Sequence, residues 1–388
     1  MKNWQEVALD QVAVINPTET LPKNSLAKKV AMEDLQPFKK RPTSFNVERY
    51  NGGMKFKNGD TVIARITPCL ENGKTAYIDF LDSDEIGFGS TEYIVLRQKE
   101  GLSDSQFLYY FAISDYFREV AILSMTGSSG RQRVQTDVVR QHRFMLPPLQ
   151  EQKAIASVLS CLDDKIDLLH RQNKTLEAMG ETLFRQWFVE DAQENWIECS
   201  VSDFADHAKE NVIPQNHADT LFSHYSIPSF DNERRPTLEP GREILSNKFK
   251  VLPYSILVSK LNPRTPRIWP ICELSNDNSI CSTEFQVIKP KSQDLFGFIL
   301  FLLRSNEATD ALIMAASGTS GSHQRVRPED ILNIGIKLPS ETLAKKFSDL
   351  VMPNITKMQA NLSQIQTLEK LRDTLLPKLL SGEVRVEI

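Results

Sequence analysis

The apolar positions of this chain fall into two long seven-residue rhythms, each preceded by shorter, alternating runs. Between Leu146 and Phe188 they recur at Ile155, Leu162, Leu169, Leu176 and Leu183. A second seam through Leu159, Ile166, Asn173, Gly180 and Trp187 completes the four-and-three alternation of a helix packed lengthwise on another helix. Pro147 and Pro148 suit the entrance of such a helix, where a missing N–H is harmless. At about 1.5 Å per residue, Glu151 to Phe188 predicts a rod of roughly 57 Å. A second rod is expected from Glu341 to about Leu380. Its apolar face carries Leu343, Phe347, Leu350, Val351, Met358, Leu362, Ile365, Leu368, Leu371, Leu375 and Leu379, with Asn354 and Asn361 on the aligned seam. Pro353 costs about 3 kcal/mol inside a helix unless it bends or restarts, so a kink or break is expected near Met352.

The two rods belong to an internal duplication. Trp4 falls on Trp196, Ser90-Thr91-Glu92 on Ser282-Thr283-Glu284, Gln132-Arg133-Val134 on Gln324-Arg325-Val326, and Leu146-Pro147 on Leu338-Pro339. The rods keep the same offset, Lys153 meeting Lys345 and Leu183 meeting Leu375, while a one-residue slip brings Gly127-x-Ser129-Gly130 onto Gly318-x-Ser320-Gly321. One offset over so many landmarks is a repeat. It divides the chain into residues 1–148, a central rod at 149–192, a second unit at 193–340 and a terminal rod at 341–388. Within the units, the run from Gly59 alternates like strand and turn, with Val62, Ile63 and Ile66 before Gly73 and Ala76, Tyr77 and Ile78 after it. Tyr93–Leu96 and Phe285–Ile288 predict strands, and the stretch from Phe107 predicts a core helix; residues 4–15 carry strand and helix signals too weak to separate. The fold class is therefore mixed α/β (α+β), in tandem.

Composition narrows the function. Five cysteines without a CxxC argue for reduced thiols and against a zinc site or disulfide framework, and the six histidines lack ligand spacing. No stretch of about 18 apolar residues occurs, and MKNWQEVALDQ lacks the apolar core of a signal peptide, which predicts a cytoplasmic protein away from membranes. The net charge of −4 does not announce a nucleic-acid binder. Its distribution is more informative: Asp, Glu, Lys and Arg give +1 for residues 1–149, −4 for 150–195, −2 for 196–340 and +1 for 341–388. The first rod holds the acid excess, a poor surface for DNA and a suitable one for protein.

The candidate chemistry is cationic. Between Lys23 and Lys57, nine basic residues face three acids and interleave with Phe38, Phe45, Tyr50 and Phe56; phosphate contact and a solvated lysine-rich surface both account for this. Gly73-Lys74-Thr75 resembles the end of a phosphate-binding loop, but Pro68 stands where that motif needs glycine. Arg65 and Lys260 close equivalent strands, where a cation could reach a groove or cap a surface. The loop from Thr126 carries Arg131 and Arg133, and its mirror from Ser317 carries Arg325 and Arg327. Glycines, hydroxyls and arginines together suit phosphates and a bidentate approach to guanine; the Arg-Val step could instead be a scaffold feature. In the second unit, Lys260, Arg264, Arg267 and Trp269 lie among prolines where the first has Lys74. Two copies of one frame with different loops would read two different sequences.

LPPLQEQKAIASVLSCLDDKID followed by LLHRQNKTLEAM, placed after GSSGRQRV and repeated after a second variable unit, resembles the DNA-specificity subunit of type I restriction-modification systems. The likeness covers essentially the whole chain, although the second rod entry, LPSETLAKKF, lacks the Gln-Glu-Gln run. The resemblance implies two target recognition domains separated by two long helices that pair as an antiparallel coiled coil. It implies a non-catalytic protein reading a bipartite site on double-stranded DNA. Arg65, Lys74, Arg131 and Arg133 would serve one half-site, and Lys260, Arg264, Arg267, Arg325 and Arg327 the other. The implied partners are two modification subunits that methylate adenine and restriction subunits that hydrolyse ATP. No cofactor is expected on this chain; S-adenosylmethionine, ATP and Mg would sit on those partners. A coiled-coil scaffold without DNA stays open as an alternative. A self-contained adenine methyltransferase is disfavoured, since neither Asn-Pro-Pro-Tyr, Asp-Pro-Pro-Tyr nor GxGxxG occurs.

Overall fold

Strand pairing repeats the duplication residue by residue. In the computed structural model, which describes residues 3–232, 234–274, 276–316 and 325–387, Gln5–Ala8 pairs antiparallel with Arg143–Leu146, Gln5 facing Leu146. Ile197–Ser200 pairs the same way with Gly335–Leu338, Ile197 facing Leu338. The weak signals of residues 4–15 resolve into that first strand, a helical turn at Leu9–Val12 and a strand at Ala13–Ile15. The chain divides into two compact units, one of Met1–Leu169 with Ser363–Ile388, the other of His170–Leu362.

In the first unit a four-stranded antiparallel sheet runs in the order Ala13–Ile15, Tyr93–Gln98, Thr61–Ala64, Thr75–Tyr77. Both its faces are covered. Because side chains alternate along a strand, Ile63, Ile94 and Leu96 join the helical core, while Val62, Tyr93 and Val95 join a second core. That second core also takes in Val30 and Phe56 from the second sheet, which is formed by Asn46–Arg49, Leu26–Val30, Gly87–Gly89 and Lys55–Phe56. The helix Ser105–Ile113 starts where the Asp104 carboxylate accepts from the N–H groups of Gln106 and Phe107. Every residue from Phe107 to Ile113 is buried.

The second unit has the same plan. Ala205–Ala208, Phe285–Pro290, Ser255–Ser259 and Ile268–Ile271 form the central sheet, and the second sheet gains an extra strand, Asn211–Val212. Ile256, Val258 and Ile288 face its helical core, Leu257, Phe285 and Val287 the other. Trp269, grouped by sequence with the cationic loop, belongs to that second core and packs on Tyr225 and Phe285.

The first long helix is Leu149–Arg185, continued by a π-helical turn at Gln186–Glu190. Its entry motif is explained by local bonds. Gln152, fully buried, donates from Nε2 to the carbonyls of Pro147 (2.9 Å) and Leu102 (3.1 Å) and accepts from the Asp104 N–H. Glu151 accepts from Trp4 Nε1 at 3.1 Å. In the first unit Ile166 and Leu169 pack with Ile365, and the buried Asp163 carboxylate accepts from Tyr110 Oη (2.6 Å) and Arg372 Nη1 (2.9 Å). In the second, Phe184 and Phe188 rather than Leu183 and Trp187 are the most deeply buried, both rings meeting Phe347, and Asn361 Nδ2 donates to Asn173 Oδ1 at 2.8 Å.

The second long helix, Glu341–Leu380, is continuous through Pro353, so of the kink or break expected near Met352 there is no break. Pro353 lies on the exposed side, where water can serve the carbonyl it leaves unpaired, while Phe347, Val351 and Ile355 anchor the buried side. Leu350 and Leu371, placed on the apolar face by periodicity, are 48% and 44% exposed. Among the described residues no helix is long and apolar enough to cross a membrane, no cluster suits a metal ion, and all five cysteines are free thiols.

Candidate nucleic-acid interface

The basic stretch from Lys23 to Lys57 is largely neutralised within its own unit. Lys28 pairs with Asp82 and Glu85, Lys29 with Glu48, Arg41 with Asp79, Asp164 and Asp167, and Lys57 with Glu19. Lys40 is buried over Tyr77 and Tyr110, donating to Gln106 Oε1 at 2.8 Å. These cations build the fold; the second cationic group singled out in the sequence lies elsewhere.

It lies where the Gly-rich loop returns to the sheet. In the first unit Thr126 and Arg133 exchange two backbone hydrogen bonds, closing a loop whose residues Thr126–Arg131 are exposed. Gly127 adopts φ +132, and a Cβ there would stand 3.0 Å from the Arg131 carbonyl oxygen, so the closure needs glycine. The loop is stitched to the end of Thr61–Ala64: Thr67 N–H donates to the Gln132 carbonyl, and Val134 N–H to that of Arg65. The Ser90-Thr91-Glu92 turn meets the same point. Its Ser90 Oγ accepts from the Glu92 N–H at 3.1 Å, and Arg65 N–H donates to the Glu92 carbonyl at 2.9 Å.

The Glu92 carboxylate takes the Arg133 fork in two-point fashion, from Nε (3.0 and 2.9 Å) and Nη2 (2.7 Å), and Arg65 Nε adds a contact at 3.3 Å. The Arg133 hydrogen bond holds the Glu92 carboxyl below its usual range, and in return Glu92 raises the Arg133 guanidinium. Lys74 Nζ is turned inward to the Met32 carbonyl at 2.8 Å, and Gly73 beside it abuts the Phe38 ring. Arg131 is exposed and makes no ion pair among the described residues.

The second unit repeats the stitching. Ser282 Oγ accepts from the Glu284 N–H (3.2 Å), Lys260 N–H donates to the Glu284 carbonyl (2.8 Å), and Val326 N–H to the Lys260 carbonyl (2.9 Å). Arg325 Nη2 meets Glu284 Oε1 at 3.1 Å. Lys260 departs from Arg65: its Nζ sits over the Phe249 ring at 5.5 Å, burial lowers its pKa against the pull of Glu284, and Glu284 Oε2 is left buried without a hydrogen bond. Arg267 is held two-point by Asp231 at 2.7 and 2.9 Å. Arg264 and Arg327 are exposed and make no ion pair among the described residues. The mirrored Gly318-x-Ser320-Gly321 and Gln324 lie outside the described residues.

Residues 1–178 match the family model described as the type I restriction modification DNA specificity domain. Over that stretch the chain is similar to the type I DNA-specificity family. It is 25% identical to the MjaIX specificity subunit of Methanocaldococcus jannaschii over 320 residues, 73% of this chain and 70% of that one. To the EcoAI specificity subunit of Escherichia coli it is 33% identical over 180 residues, 44% of this chain but 28% of that one. The fold is that of a crystallised type I S subunit from M. genitalium, with TM-score 0.58 at 16% identity over 97% of this chain and 96% of the other. The duplicated Ser-Thr-Glu turn, in the sequence a landmark of the repeat, supplies the carboxylate that binds the loop arginine in both copies. Its signal was present: the same carboxylate stands 41 residues before the same arginine in both copies.

Proposed function

We propose that this chain reads a bipartite site on double-stranded DNA for a type I restriction-modification complex, one half-site for each of two target recognition domains, residues 1–148 and 193–340. The observation that carries this reading is one duplicated frame bearing different exposed cations, Arg131 in one copy and Arg264 and Arg327 in the other. Arg65 and Arg133 stand at the loop base of the first copy and Lys260 and Arg325 at that of the second, while Arg267 is bonded to Asp231 and Lys74 to the Met32 carbonyl. The long helices, 149–192 and 341–388, pair as an antiparallel coiled coil that sets the unread spacer. Contacts within each unit support this, because partner numbers fall along one helix as they rise along the other: Asp163 with Arg372, Ile166 with Ile365, Asn173 with Asn361 and Phe184 with Phe347. Half-sites one helical turn of B-DNA apart would lie roughly 34–36 Å from each other.

On this reading the chain is non-catalytic and works in the cytoplasm. Two modification subunits dock on the acid-rich helix and methylate adenine from S-adenosylmethionine, and restriction subunits use ATP and Mg. A target adenine must leave the stack to be methylated, and a reader that distorts the duplex assists. The test is co-expression with the candidate modification subunit and mapping of methylated adenines by long-read sequencing. A split motif with two unlike halves and a fixed gap is expected. A stable complex that methylates nothing, or no complex at all, would favour the scaffold.

A further inference from the structure

In both units the arginine nearest the loop base has its guanidinium occupied by the carboxylate of a serine-capped turn. Guanine is recognised by two parallel, unoccupied N–H groups. Arg133 has already given Nε and Nη2 to Glu92. An Arg–Glu pair this open to solvent, with Arg133 43% and Arg325 58% exposed, adds little to fold stability, so its recurrence calls for another reason. The surroundings differ between the copies. Arg65 reinforces the pair in one, whereas Lys260 has turned to an aromatic ring in the other, leaving Glu284 Oε2 unserved. The pair persists through that exchange, and an unpaired arginine stands two positions away on either side: Arg131 before Arg133, Arg327 after Arg325.

We propose that Glu92 and Glu284 are positioning residues of the two DNA-reading surfaces, each holding the Gln-Arg-Val arginine as a strut so that its unpaired neighbour, Arg131 or Arg327, faces the duplex. This rests on the DNA-reading function above. A strut fixes the direction in which the chain leaves the sheet. The loop's own hydrogen bonds define its closure, and the side-chain pair ties that closure to the strand-end turn from the solvent side.

The sign of one substitution separates this role from the opposite one, in which Glu92 competes with DNA for a reading Arg133. Glu92→Gln is made in the full chain assembled with modification subunits. Binding is measured to a duplex carrying the split motif mapped on the wild-type complex and to duplexes with either half scrambled. Binding about tenfold weaker is expected, with preference for the first half relaxed and preference for the second intact, which also shows that the chain has folded. The reversed pair, Glu92→Arg with Arg133→Glu, should restore preference, because a strut works in either polarity and a base-reading arginine does not. Tighter binding by Glu92→Gln would overturn the proposal in favour of competition, and unchanged binding would overturn it outright. Loss of both halves, repeated in Glu284→Gln, would make the carboxylates mere fold elements and overturn it as well. A wild-type complex indifferent to sequence would instead sink the DNA-reading function.

Discussion

Glu151 shows how much a single carboxylate can organise. Its side chain is 3% exposed and binds the Arg385 guanidinium at 3.0 and 2.9 Å together with the Trp4 indole N–H. The Arg385 bond, and then Trp4, hold its pKa below the usual carboxylate range against the opposing effect of burial. A depressed folded-state pKa contributes stability above the unfolded value, about 4.3 for glutamate, and that contribution disappears as pH falls through the folded value. Glu151→Ala should therefore cost about 1–3 kcal/mol at neutral pH by stranding a buried donor. In denaturant titrations the difference from wild type should shrink below about pH 4; a difference flat with pH would contradict the assignment. At the interface, Arg131→Ala should relax one position of the first half-site at a cost of about 1–3 kcal/mol. Lys74→Ala should leave half-site preference alone, because its ammonium is bonded inside the fold. Direct binding to matched and mismatched duplexes checks both. The cations were legible in the sequence. Their engagement was not, since the carboxylate that occupies Arg133 lies 41 residues away in the turn before the strand Tyr93–Gln98, and only the fold brings them together.

Helices and strands were legible where burial follows one period and blurred where two demands compete. The seam through Ile155, Leu159, Ile166 and Leu169 is buried as its spacing predicts. Beyond Asn173 the burial shifts by one position to Phe184 and Phe188, because aromatic rings from Phe298 and Phe347 claim the contact. Pro353 does not break its helix, since its exposed position lets water serve the carbonyl it leaves unpaired. The duplication also conceals a chemical asymmetry. Asp163 and Arg372 form a buried pair, whereas their counterparts by the 192-residue offset are Ile355, buried, and Gly180, where a Cβ would stand 2.1 Å from the Phe301 ring. Arg372→Met leaves a buried anion unpaired and should cost about 3–5 kcal/mol, and adding Asp163→Leu should recover most of it. Chemical denaturation of the two variants checks this, and additive losses would show that the pair is not coupled.

For the whole molecule, the tandem plan was legible because a duplication writes the same landmarks twice, and the helix-entry motif carried the resemblance to the family. The three-residue difference between Arg65–Lys260 and Glu92–Glu284 spacings was legible only as two offsets; the sheets show it absorbed in loops, with the strand pairing kept. If the paired helices set the spacer, inserting one turn in each should lengthen the unread gap of the methylated motif, and an unaltered gap would remove that role. The same helices have a further consequence. Both parts of the first helix are tied to arginines, Leu149–Leu169 through Glu151 and Asp163, and the remainder, to Arg185, through Glu177 to Arg234 and Arg304 beside its phenylalanine rings. On heating, the cost of dehydrating charges falls while apolar burial gains little more per unit area. Charged anchors thus run along one unbroken helix, and amide hydrogen exchange between His170 and Arg185 should accelerate with temperature in step with exchange between Leu149 and Leu169.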